Sequence, residues 1–129
     1  MATVHILEYD PEACEATVQV TTDAELNGQL QTVSIDAFGC DTLESLMRTP
    51  FRLTTFLASD IVLEDALKVP KRIAGSIYGY RIWAALVDAA NRHARLGDIH
   101  ISLDGDIPKD IPNGALISFT ALRMDFDTD

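Results

Sequence analysis

An alternation of apolar and polar residues on both sides of an Asn27-Gly28 pair constrains the fold of this chain most strongly. Asparagine and glycine both accept the positive φ angles of a type I′ turn, so the pair predicts a two-residue β-hairpin. In that register the numbers of opposite residues add up to 55, so Val20 faces Ile35. The apolar residues of both strands then fall on one face, as a half-buried sheet requires.

Further strands are predicted near both ends of the chain. Residues 3–9 form a strand that ends at Asp10-Pro11, and residues 99–103 alternate between apolar and polar side chains. Residues 115–125 predict a longer strand whose alternation changes parity after Ala121. A change of parity indicates a bulge or a strand that is covered on both faces.

The middle of the chain is predicted to be helical. Asp41 followed by Glu44 is typical of a capping box at the start of a helix. Helical spacing continues to Leu57, and Pro50 either kinks this helix or begins a new one. A second helix is predicted over 60–69, and the longest over 76–96, where Gly97 would end it. Apolar residues of the longest helix recur at helical spacing: Ile77, Tyr80, Ala84, Val87 and Ala94.

This order, βββ-ααα-ββ, predicts an α+β fold in a single domain over residues 1–129. Strands grouped at the ends and helices in the middle favour an antiparallel sheet of about five strands with helices packed on one face. Alternating βαβ units are absent, which argues against a doubly wound nucleotide-binding fold.

Charge is divided unevenly along the chain. Residues 1–47 contain nine acids and no lysine or arginine, whereas 48–95 contain eight bases and four acids. Residues 96–129 contain seven aspartates and two bases, which completes the net charge of −10. Genome composition or a salty cytoplasm would explain the acidity, but neither explains the segregation. Two unlike electrostatic surfaces on one small protein select its partners.

The acids of the N-terminal strands are therefore the predicted partner-binding residues. The hairpin register displays them away from the apolar face. They are Glu8, Asp10, Glu12, Asp23, Glu25 and Asp36. Direct binding of nucleic acid is disfavoured, because such binding depends on the neutralisation of phosphates by basic side chains.

No catalytic, metal-binding or nucleotide-binding motif is recognisable, and no cofactor is predicted. His5, His93 and His100 lack the spacing of a zinc site. Asp98, His100 and Asp104 could share one strand face, which leaves a small hydrolase-like enzyme as the least favoured alternative. Residues at i and i+2 of a strand point in parallel, so they do not form a catalytic triad by themselves.

Redox state and location are only weakly constrained by the sequence. Cys14 and Cys40 are too few for a secreted disulfide framework, although one bridge between them stays possible. The sequence shows neither a secretory signal nor an apolar run long enough to span a membrane. We therefore expect a cytoplasmic protein.

The leading hypothesis is a non-enzymatic acidic interaction protein. It would be an inhibitor, an immunity-type protein or a phage protein, and would occupy a basic or nucleic-acid-binding site on a protein partner. Carboxylates on a rigid sheet compete with phosphate for arginine and lysine. The second hypothesis is a self-assembling structural homo-oligomer, in which acidic and basic faces of different copies meet.

Overall fold

The computed structural model describes residues 2–48 and 50–128. In this part of the chain, eleven strands form one mixed sheet, accompanied by one helix of four residues. The elements are β1 (Thr3–Asp10), β2 (Glu15–Leu26), β3 (Gln29–Cys40), α1 (Leu43–Leu46), β4 (Phe51–Phe56), β5 (Ser59–Glu64), β6 (Lys71–Arg72), β7 (Tyr80–Asp88), β8 (His93–Leu96), β9 (Ile99–Ser102), β10 (Leu116–Ala121) and β11 (Arg123–Thr128).

The sheet curls back on itself. Its strand order is β1-β2-β3-β11-β4-β9-β8-β7-β10-β5, with β6 paired to β7. Strands far apart in that order still touch, because the Asp36 amide of β3 donates a hydrogen bond to the Tyr80 hydroxyl of β7 at 3.0 Å. The Asp98 amide, between β8 and β9, donates to Thr22 Oγ1 of β2 at 3.1 Å. One apolar core therefore fills the interior of the rolled sheet.

Rows of directly paired residues show which face of the sheet is buried and which is exposed. A row that crosses seven strands is buried throughout: Ala16, Gly39, Phe126, Leu53, Ile101, Ala94 and Leu86. A second row, here named the outer row, is at least partly exposed throughout: Glu8, Thr17, Phe38, Asp125, Thr54, Ser102, His93 and Asp88. The outer row crosses eight strands of one continuous surface, and all of its members except Phe38 are polar or charged.

The predicted hairpin is confirmed. Strands β2 and β3 pair from Glu15 opposite Cys40 to Leu26 opposite Gln29, in the predicted register. Asn27 and Gly28 have φ angles of 54° and 78°, as a type I′ turn requires. The predicted N-terminal strand is β1, which pairs with β2.

The predicted α+β fold is wrong. Strands β4 and β5 replace parts of the first two predicted helices, and four of the six residues of β4 are aromatic or β-branched. Helix α1 is a single turn, and its N-cap is Thr42 rather than Asp41, with Thr42 Oγ1 accepting from the Ser45 amide at 3.3 Å. No helix in the described ranges is long and apolar enough to cross a membrane.

The longest predicted helix is also wrong, since residues 80–96 form β7, a turn and β8. Two members of the predicted helical stripe are exposed, Ile77 by 75% and Val87 by 44%. The buried residues of β7 instead alternate with a period of two: Tyr80, Ile82, Ala84 and Leu86. Tyr80 and Ala84 fit both the helical period of 3.6 and the strand period of two. The pairing of this segment with β8 and β10 makes it a strand.

The change of parity after Ala121 marks a bend rather than a bulge within one strand. Leu122 separates β10 from β11, and its amide donates to the Phe56 carbonyl at 3.0 Å. Strand β10 pairs with β5 and β7, whereas β11 pairs with β3 and β4. The bend carries the chain from one half of the rolled sheet to the other.

Candidate functional site

The structure places the six predicted partner-binding acids in two groups on the outer face, with one acid between them. Glu8, Asp10 and Glu12 lie at one end of β1 or in the turn after it, whereas Asp23 and Glu25 lie near the far end of β2. That separation is roughly 25–30 Å along the strand. The third location is the middle of β3, where Asp36 lies.

Asp36 and Asp23 already have partners within the chain. Asp36 forms a salt bridge with Arg72, and its carboxylate is 19% exposed. Asp23 accepts a hydrogen bond of 2.8 Å from the Thr32 hydroxyl. The charge of Asp36 is neutralised, so it is the least available of the six acids for a partner.

A cavity of about 370 Å³ opens beside the first group of acids. We name it the acidic pocket. It is lined by Glu8, Tyr9, Asp10, Glu15, Ala16, Thr17, Phe38 and Tyr78. Its walls therefore combine three carboxylates with aromatic rings.

A β-bulge turns the Glu8 side chain towards this pocket. Ile6 pairs with the buried Val18, but the next pair along is Glu8 with Thr17, so Leu7 is one extra residue on β1. Without that extra residue, strict alternation would place residue 8 on the same inward face as Ile6. A bulge re-aims the side chains that follow it, and here it brings a carboxylate to the outer face.

The three carboxylates of the acidic pocket lie close together with little neutralisation. Asp10 is directly opposite Glu15, and like charges in that position destabilise a strand pair. Asp10 Oδ1 accepts from the backbone amides of Glu12 and Ala13 at 3.1 and 3.4 Å, which orders the turn. Glu8 and Glu15 form no salt bridge within the described ranges. A cation that enters the pocket would relieve this repulsion.

The aromatic wall of the acidic pocket comes from distant parts of the chain. Phe38 projects from β3, and Tyr78 belongs to the loop between β6 and β7. The salt bridge from Arg72 to Asp36 ties β6 to β3, and Arg72 Nη1 donates to the Ile77 carbonyl at 2.6 Å. These contacts hold the Tyr78 loop beside the pocket. Aromatic faces and carboxylates together suit an ammonium or guanidinium group.

Arg123 shows how this surface already accommodates a cation. Its guanidinium lies over the rings of Phe38 and Phe56, with centroids at 5.1 and 4.7 Å. Arg123 Nε donates to Asp125 Oδ1 at 2.5 Å, and this hydrogen bond raises the pKa of Arg123. The same combination of ring and carboxylate is present in the acidic pocket, where Phe38 presents its ring beside Glu8 and Glu15.

The three residues of the hydrolase-like alternative each engage different partners. Asp98 forms a salt bridge with Arg95 at 3.1 Å. His100 contacts His93, and Asp104 binds the loop between β4 and β5. No group of three or more histidine, cysteine or acidic side chains is positioned to hold a metal ion in the parts of the chain that the structure describes.

The pairing of His93 with His100 was not predicted, because Gly97 was interpreted as the end of a helix. Gly97 and Asp98 instead form a two-residue turn between β8 and β9, with Gly97 at a φ of 56°. Glycine at the first turn position between two short alternating strands is typical of a type II′ hairpin. A second cavity of about 210 Å³, here named the histidine pocket, is lined by Arg52, Asn91, His93, His100 and Ser102.

Other candidate residues have structural roles. Cys14 and Cys40 are both free thiols, so the possible bridge between them is not formed. Asp88 orders the turn between β7 and β8, where its Oδ1 accepts from the Ala90 amide at 3.1 Å. Arg92 pairs with Asp106.

Comparison with known proteins assigns no family to this chain. No protein-family model matches it, and no curated protein or solved structure is significantly similar. The narrower prediction of an inhibitor or immunity-type protein has no support in this β-rich fold and is not retained. The acidic pocket and the charge distribution are the features from which a function can be derived.

Proposed function

We propose that this is a non-enzymatic interaction protein whose acidic outer face binds a basic surface of a protein partner. The observation that carries the proposal is the acidic pocket, where three carboxylates meet three aromatic residues, Tyr9, Phe38 and Tyr78. Glu8 and Glu15 have no ion pair in the described part of the chain, so their charge is available to a partner.

A lysine or arginine side chain of the partner is the group that fits the pocket. Its charged end would lie between Glu8 and Glu15, and its aliphatic stem would pack against Phe38 and Tyr78. The net charge of −10 would steer basic partners towards this face and would make association depend on salt. The proposed location is the cytoplasm, where Cys14 and Cys40 would stay reduced.

Charge neutralisation in the pocket tests this function. We expect the double substitution Glu8→Gln and Glu15→Gln to weaken binding of a short peptide of alternating lysine and glycine by about tenfold. Two exposed ion pairs are together worth roughly 1–2 kcal/mol. Fluorescence anisotropy of the labelled peptide measures this change, and raising salt from about 0.05 M to about 0.5 M should weaken binding to the unsubstituted protein.

The matched control removes the same charge from the other end of the same face. Asp23 and Glu25 lie far from the acidic pocket, near the other end of β2. The double substitution Asp23→Asn and Glu25→Gln should weaken peptide binding less than about twofold, because it changes only the long-range electrostatic field, which salt screens. Equal losses in the two double variants would show that general acidity, and not the acidic pocket, attracts the peptide.

Self-association is the second candidate function, and the outer row favours it. This row begins with Glu8 at the acidic pocket, crosses the sheet through His93, which is close to Arg52 and Arg95, and ends at Asp88. The acidic pocket of one copy could then meet the basic groups around His93 of another copy in a head-to-tail contact. Sedimentation at low and high salt tests it, since a monomer at all salt concentrations would contradict this function.

A further inference from the structure

We propose that the histidine pocket binds an oxyanion of the phosphate class. All five side chains that line it carry hydrogen-bond donors, and no carboxylate is among the described residues of its lining: Arg52, Asn91, His93, His100 and Ser102. The site goes beyond the proposed function, because it lies across the sheet from the acidic pocket.

The β8–β9 hairpin brings the two imidazoles together. His93 pairs with Ser102 and Arg95 pairs with His100, so the two histidines are diagonal neighbours on the outer face. His93 Nε2 lies 2.9 Å from His100 Nδ1, and the rings stack with centroids 5.1 Å apart. This contact requires one of the two nitrogens to be unprotonated. If both rings were protonated they would repel each other, and an anion beside them would offset that repulsion.

Groups on four strands set the electrostatics around His93. Burial is the main cause that lowers the pKa of His93, and His100, Arg52 and Arg95 lower it further. Asp88 on β7 acts in the opposite direction, but its carboxylate already accepts from the Asn91 side chain at 2.6 Å. The basic groups around His93 therefore outnumber Asp88, and a second carboxylate, Asp127, lies opposite Arg52 on β11.

Arg52 supplies the group best suited to a tetrahedral anion. Its Nη1 lies 3.5 Å from Ser102 Oγ, which places the guanidinium along the wall of the histidine pocket. A guanidinium presents several donors in one plane and binds phosphate or sulfate oxygens in pairs. The hydroxyl of Ser102 and the two imidazoles would supply donors from β8 and β9.

Anion binding to this pocket is expected to be linked to proton uptake. His93 is mostly neutral at pH 7, because its pKa lies below the ordinary value of 6.5. A bound dianion would favour the imidazolium form and raise that pKa, so affinity should increase as the pH falls.

Sulfate is the appropriate probe, because its charge stays constant between about pH 5.5 and pH 8.5 and any pH dependence then reports on the protein. We expect calorimetry to give a dissociation constant in the range of about 1 mM at pH 6, and binding about tenfold weaker at pH 8. The ring NMR signals of His93 and His100 should shift with sulfate and not with chloride at the same ionic strength. Inorganic phosphate and phosphoserine should both compete with sulfate, and a failure of both to compete would overturn the assignment.

Three substitutions locate the binding site. His100→Asn and Arg52→Gln come from different strands and should each weaken sulfate binding about tenfold, so the test does not depend on one variant folding. His5→Asn, on β1, should leave binding unchanged. Binding that is insensitive to both pocket variants or to pH would overturn the proposal. So would sedimentation showing that sulfate dissociates a dimer, because a carboxylate of a second copy would then occupy the pocket.

Discussion

Replacing Gly97 with alanine is expected to lower the free energy of unfolding by about 3 kcal/mol. Gly97 has a φ of 56°, a conformation that costs an L-residue roughly 1–2 kcal/mol. A Cβ at this position would also lie 2.4 Å from the Asp23 carbonyl oxygen and 2.8 Å from Thr22 Cγ2. The β8–β9 turn packs against β2 here, and relieving an overpacked contact costs roughly 1–3 kcal/mol more.

Urea unfolding of the two proteins measures this loss, and Gly114→Ala is the matched control. Gly114 has a φ of 87°, but no atom lies within 4 Å of the position that its Cβ would take. Its substitution should therefore lower the free energy of unfolding by only about 1 kcal/mol, the cost of a positive φ for an L-residue. Equal losses at Gly97 and Gly114 would contradict a close approach of the turn to β2.

Asp104→Asn is expected to lower the free energy of unfolding by about 2 kcal/mol, because charge-assisted hydrogen bonds are lost and one donor is left without an acceptor. The carboxylate accepts from the Thr55 hydroxyl at 2.7 Å, from the Leu57 amide at 2.7 Å and from the Ala58 amide at 2.8 Å. Leu57 has a φ of 55°, so Asp104 stabilises a loop that is unfavourable by itself.

This contribution should depend on pH. Burial alone would raise the pKa of Asp104, but the hydrogen bonds from Thr55, Ala58 and Leu57 lower it overall. A carboxyl whose pKa is lower in the folded state stabilises the protein above its unfolded-state pKa, and the stabilisation is lost as the pH falls through the folded-state value. The difference in stability between the two proteins should thus be largest near neutral pH and shrink below about pH 4.

Thermal unfolding across that pH range checks the expectation, with Asp106→Asn as control. Asp106 is 92% exposed and pairs with Arg92, so its loss should cost no more than about 0.5 kcal/mol. A loss at Asp104 that is the same at pH 3 and pH 7 would show that the carboxylate charge does not stabilise the loop.

Local features of the sequence predicted the β2–β3 hairpin well. The Asn27-Gly28 turn sets the register by itself, and the alternation of Val18 and Val20 sets the face. Both features act within a few residues, so no other part of the chain had to be known. The acidic positions Asp23 and Asp36 of these strands lie on the outer face for the same reason.

The helical middle was predicted wrongly because its residues fit two periods. Ala84 is buried in β7 and would also have been buried in a helix, so spacing alone did not separate the alternatives. The backbone groups of these strands form hydrogen bonds with strands from the C-terminal part of the chain, as in the pairing of Ala84 with Ile117. Such non-local hydrogen bonds leave little trace in a local pattern.

The sequence by itself determined that the acids of β2 and β3 face away from the core, because a strand alternates its side chains between two faces. It did not determine which acids meet. The bulge at Leu7 brings Glu8 to the outer face, and the pairing of β1 with β2 sets Asp10 opposite Glu15. Tyr78 reaches the same pocket through a loop more than sixty residues away in sequence. Only the tertiary structure decided these contacts, since each depends on pairing between segments that no local spacing specifies.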